Sequence, residues 1–199
     1  MSKMVEVVVT DRDGKIIKRV TANEDAFNYV LEKTRESFDM ATAWFLRIMR
    51  AIFSPATIGS NLNETFTDTS GVSRMQGFKT NMGSSTNNFF NTSSCNNRLW
   101  IGYGSSDTPP TRTDYKLNNK LGEGIAGITA DETQGTLTIS ASFTMSEDTT
   151  IYEVGLEWEG CVYGIGTCGR VLLDRTVFPN GITVLNGQTI TIVYRFIFP

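Results

Sequence analysis

The last hundred residues of the chain alternate. In Thr136–Met145, TLTISASFTM, Leu137, Ile139, Ala141, Phe143 and Met145 fall on one face. TITIVYRFIF near the end does the same with Ile190, Ile192, Tyr194, Phe196 and Phe198. A period of two marks a strand with one face on a core and the other in water. GIAGITA is placed to pair with Thr136–Met145 across Asp131–Gly135, and IYEVGLEW and RVLLDRTVF add strands between turn-rich segments. About six short strands over ~100 residues predict an antiparallel, jelly-roll-like β-sandwich domain at 99–199.

The pattern differs upstream. VEVVVTDRDGKIIKRVTA reads as a β-hairpin turning at Asp13-Gly14. Thr21-Ala22-Asn23-Glu24 fits a capping box, and behind it apolar residues recur at spacings of three and four until Pro55. This predicts a long amphipathic helix of about 44 Å, at ~1.5 Å per residue. Its second half is apolar nearly all round, with Arg47 and Arg50 as its charges. Residues Phe38, Trp44, Phe45, Ile48, Met49 and Ile52 are therefore expected to form an interface between subunits. The expected fold class is mainly β with a long N-terminal helix: hairpin and helix at 1–53, then the sandwich from 99.

Between them, more than half of Ser54–Arg98 is Ser, Thr, Asn or Gly, a composition too polar to build its own core. It reads as an arm or linker, with Phe66, Phe78, Phe89 and Phe90 as anchors in a neighbour's grooves. Sequons at Asn63 and Asn91 are weak signals in so Asn-rich a stretch.

Several function classes find no foothold. The chain has no histidine, which removes Ser-His-Asp and Cys-His catalysis and the commonest zinc ligand. A net charge of −3 with dispersed basic residues gives no footprint for nucleic acid. Met40–Phe53 is too short for a membrane-spanning helix of ~20 residues, and the opening MSKMVEVVVTDRDGK carries charges where a secretory leader would be apolar. Cys161 and Cys168 bracket VYGIGT and are open to a hairpin disulfide or to two separate small thiols, with Cys95 left over.

Gly122–Gly127 and Gly164–Gly169 both match GxGxxG, but each runs into strand-like sequence rather than a helix, so they read as turn glycines. WIGYGSSDTPPTRTDYKL lacks the lysine of a P-loop and the GxSxG of a nucleophile elbow. Glu153, Glu157 and Glu159 alternate along a strand and read as a solvated outer face rather than an acid–base pair. No catalysis, cofactor or metal is expected.

Three segments together carry a resemblance: WIGYGSSDTPPTRTDYKLNNKL, TIYEVGLEW and RVLLDRTVFPNGITVLNGQTITIVYRFIF. In this order, with the N-terminal DG hairpin, they resemble a class of virion structural proteins of tailed phages and archaeal viruses. The likeness covers Trp100–Phe198 well and Val5–Thr21 loosely, and leaves Ser54–Arg98 outside. It implies a β-sandwich subunit of a tail, nozzle, neck, adaptor or baseplate, or a surface decoration. Such a subunit oligomerises in a ring or other symmetric assembly with copies of itself and other virion proteins, and is assembled in the host cytoplasm. The glycine- and proline-bearing segment would then be scaffold. The competing expectation is a carbohydrate-binding or adhesin module, with Tyr103, Tyr152, Trp158 or Tyr163 stacking on sugar rings.

Overall fold

The two ends of the chain are partners. In the computed structural model, which describes residues 2–22, 61–79, 98–110, 114–161 and 168–197, β1 (Ser2–Thr10) pairs antiparallel with β11 (Thr189–Ile197). Val5 lies opposite Tyr194 and Val9 opposite Ile190, so the apolar residues of both strands share a face. β2 (Ile16–Ala22) extends this sheet beyond β1, while β8 (Thr136–Thr144) and β7 (Gly127–Asp131) extend it beyond β11, giving the order β2-β1-β11-β8-β7. The β1–β2 turn uses the DG signal: Gly14 has φ +80°, and the Asp11 carboxylate accepts the N–H groups of Asp13 and Lys15.

A second sheet has the order β10-β9-β5-β6, from β10 (Cys168–Val184), β9 (Thr149–Cys161), β5 (Arg98–Gly104) and β6 (Lys120–Ile125). Val5, Val7, Ile190, Ile192 and Tyr194 of the first sheet meet Ile101, Val154, Leu156, Ile182 and Val184 of the second in one buried core. Each such side chain contributes about 1.5–3 kcal/mol on burial. The Tyr103 and Phe143 rings, 4.9 Å apart between centroids, join β5 to β8, and burial pushes the Tyr103 phenol pKa up. Lys3 forms an ion pair with Asp174, tying β1 to β10.

The expected fold class needs correction. Among the described residues there is no helix; strands and their connections account for all of them. Thr21 and Ala22, the expected start of the helix, belong to β2, where they pair with Glu6 and Val5. A capping-box pattern is a local preference, and here the ladder with β1 and the packing of Val20 and Ala22 against the core override it. Most of the expected helical span, with Phe38, Trp44, Phe45, Ile48, Met49 and Ile52, lies outside the described residues, as do Phe89 and Phe90.

Part of the expected arm is a β-hairpin. β3 (Asn61–Thr67), which carries Phe66, pairs with β4 (Ser73–Lys79), which carries Phe78. Its turn is organised by Asp68, 2% exposed, whose Oδ1 accepts the N–H groups of Ser70 and Val72. The turn also touches the sandwich: the Thr69 N–H donates to the Arg170 carbonyl at 2.9 Å, and Gly71 lies against the Tyr115 ring.

Cys161 and Cys168 are direct partners across β9 and β10. Facing positions in an antiparallel pair hold Cα atoms about 4.5–5.5 Å apart, within the span a disulfide bridges.

Candidate functional site: a charged clamp over the second sheet

The outer face of the second sheet contains a gap. Gly102 of β5 pairs directly with Gly155 of β9, leaving two neighbouring positions without side chains. Leu117, 2% exposed, fills that slot from the loop between β5 and β6. A Cβ on Gly102 would come within 2.9 Å of its Cδ1, and one on Gly155 within 2.8 Å of its Cδ2. The loop therefore folds back over the strand it has just left.

Beside the slot sits a buried ion pair. Arg175 Nε donates to Glu153 Oε2 at 2.7 Å, and both side chains are fully buried. The guanidinium reaches the loop twice more: Nη1 donates to Asp114 Oδ2 at 2.8 Å, and Nη2 to the Thr108 carbonyl at 2.9 Å. The carboxylate does likewise, accepting the Asn119 N–H on Oε1 at 2.8 Å and the Asn118 N–H on Oε2 at 3.2 Å. Gly104 makes this possible, since a Cβ there would lie 2.5 Å from Glu153 Oε1 and 2.4 Å from the Asn119 carbonyl. The glycines of GYGSS are thus clearances for the loop's return. The Ser105 N–H closes the loop's base by donating to the Asn119 carbonyl at 3.0 Å.

A second network runs further along the same face. Lys120 Nζ lies 2.7 Å from Glu123 Oε2 and 2.6 Å from Glu157 Oε1. Arg170 contacts Glu123 through Nη1 and Glu159 through Nε at 3.3 Å, and its guanidinium lies 3.7 Å from the centroid of the Trp100 ring. Trp100 Nε1 donates to Glu159 Oε2 at 2.8 Å. Glu157, fully buried, is held by Lys120 at its Oε1 and, more distantly, by Arg170 Nη1 4.0 Å from its Oε2. Burial acts to lower the Lys120 pKa, but hydrogen bonds and charge from Glu123 and Glu157 outweigh it and raise the value. For Glu123, burial acts upward, yet hydrogen bonds and charge from Lys120 and Arg170 hold the carboxyl below its usual range.

These contacts correct the reading of Glu153, Glu157 and Glu159 as a solvated face. They do point outward from the core, but the loop, Lys120 and Arg170 cover that side. Alternation locates a face; it carries no information about a loop that later returns to it. The clue to Glu153 lay in the paired glycines and in the single arginine of LLDRTVF. Chemically, the carboxylates are matched to cations and N–H donors. Among the described residues no group of three or more Cys, Asp or Glu is arranged to hold a metal ion.

The first GxGxxG match falls within strands: Gly122 and Gly124 of β6 give space to Tyr103 and Phe143, and Gly127 opens β7. They are strand glycines, not turn glycines. Of the aromatics considered for sugar stacking, Tyr103 packs against the core, Tyr152 is half-buried beside Gly181, and Trp158 is half-buried opposite Leu99. Tyr163 lies outside the described residues. No described helix is long and apolar enough to cross a membrane. Compared with protein-family models, curated proteins and solved structures, the chain matches none.

Two outcomes are expected. Arg175→Met should leave Glu153 buried without its cation and cost about 3–5 kcal/mol in urea unfolding, while Glu153→Leu combined with Arg175→Met should recover much of that loss. A single-variant cost below about 1 kcal/mol would contradict the clamp. For Glu123, the depressed folded pKa means its stabilisation is present above the unfolded carboxylate value of about 4.3 and is lost as pH falls through the lower folded value. Glu123→Gln should therefore lower stability near neutral pH, with the difference from wild type closing in acid, as read by urea midpoints across pH.

Proposed function

We propose that the chain is a structural subunit of a virion, in a tail, nozzle, neck, adaptor or baseplate, that works by assembling with copies of itself and with other virion proteins rather than by catalysis. The observation that carries this reading is that the three segments behind the sequence resemblance meet at one place. WIGYGSSDTPPTRTDYKL supplies Gly102, Gly104, Asp114 and Leu117; TIYEVGLEW supplies Glu153 and Gly155; RVLLDRTVF supplies Leu172 and Arg175. In this chain the three segments build one device, a loop locked over a sheet. Its charged groups are spent on holding the chain in shape, which suits a scaffold.

The test is electron microscopy of the purified full-length chain, with copy number from light scattering. A closed, symmetric multimer supports the reading. A chain that stays single at all concentrations and binds on a glycan array contradicts it in favour of a sugar-binding module.

A further inference from the structure

The five-stranded sheet ends in two edges that differ in character. At one edge, β2 offers exposed Ile16 and Ile17, 51% and 49% accessible, flanked by Lys15, Lys18 and Arg19. At the other, every residue of β7 is exposed, Ile128 is 55% accessible, and the strand runs into Asp131 and Glu132. Among the described residues no strand pairs with the outer side of either.

Free edges present unpaired N–H and C=O groups to any strand of matching length, and proteins usually guard them with lysine, proline or a bulge. β7 has none of these: its sequence is GITAD and its ladder with β8 runs without a register shift. β2 is guarded by a register shift in its ladder with β1, between Val9 and Thr10, and by cations, of which Arg19 lies 3.0 Å from Glu6 of β1. The cations deter a second β2 by setting like charges opposite one another. The same cations favour an acidic edge. Two β7 strands paired together would leave both acidic ends without a cation.

We propose that copies of this chain join edge to edge, β2 of one against β7 of the next, so that their five-stranded sheets run on as one. This rests on the assembly reading above and names its contact. Because two different surfaces meet, the contact is heterologous, and repetition gives a ring if the rotation closes or a filament if it does not.

The test uses the full-length protein and two variants altered at exposed positions, with circular dichroism confirming the wild-type fold. Ile128→Lys with Glu132→Lys makes the β7 edge cationic; Lys15→Glu with Lys18→Glu makes the β2 edge acidic. In sedimentation velocity, wild type should form multimers, and each variant alone should run as a single chain. An equimolar mixture should associate again, since the basic β2 of the first still meets the acidic β7 of the second. Multimers that survive in both variants would overturn the proposed contact and leave the assembly reading standing. Multimers lost only with the β7 changes would mean that β7 pairs with itself, and would also overturn it. Wild type running as a single chain would remove both. Salt provides a check free of mutation: multimers should dissociate as ionic strength rises, and association that is unaffected by salt would count against paired edges of opposite charge.

Discussion

The Glu153–Arg175 ion pair is the contact on which the second sheet's outer face depends. Two charges without solvent contact are costly to bury, and a loop from Ser105 to Asn119 loses about 1–2 kcal/mol of backbone entropy per ordered residue. Each problem answers the other. The loop brings Asp114, the Thr108 carbonyl and two N–H groups to satisfy the pair, and the pair gives the loop a fixed seat. Leu117 in the Gly102–Gly155 slot adds the apolar contact that shields them. Replacing the charges with apolar groups need not lower stability; what the pair supplies is a unique place for the loop.

The rest of the molecule divides its chemistry by surface. The interface between the sheets is apolar and shared by both ends of the chain, since β1 and β11 are neighbours. The outer face of the second sheet is ionic and covered by the loop and by Lys120 and Arg170. The outer side of β8 and β11 carries hydroxyl pairs, Ser142 with Thr191 and Thr144 with Thr189, 2.8 and 3.0 Å apart. Among the described residues, four of the five exposed isoleucines instead lie at the edges, Ile16 and Ile17 on β2, Ile128 on β7 and Ile125 beside it, with Ile197 at the end of β11. That distribution places opportunities for association at the rims of the sandwich rather than on its faces.

Strands were the most legible feature of the sequence, because a period of two is imposed by geometry and survives in every context. TLTISASFTM and TITIVYRFIF lie side by side as β8 and β11, with Ile139 opposite Tyr194. Thr21-Ala22-Asn23-Glu24 misled because a cap is a local motif while the β1–β2 ladder is set by contacts further away in the chain. The hairpin at β3–β4 was hidden because its residues are mostly polar and give little alternation; Asp68, with Gly71 three residues on, was the available sign. The clamp was hidden for another reason. Nothing local distinguishes a buried glutamate from a solvated one on the outward side of a strand; burial depends on a loop that leaves from β5 and returns at β6.

The most direct measurement of the clamp is amide hydrogen exchange at Asn118 and Asn119. Both residues are exposed and lie outside the strands, so their amides would ordinarily exchange quickly. Donation to the buried Glu153 carboxylate should instead slow both to rates comparable with the β5–β9 ladder. Exchange at both positions as fast as in an unstructured loop would contradict the central claim that the Glu153–Arg175 pair seats this segment on the sheet.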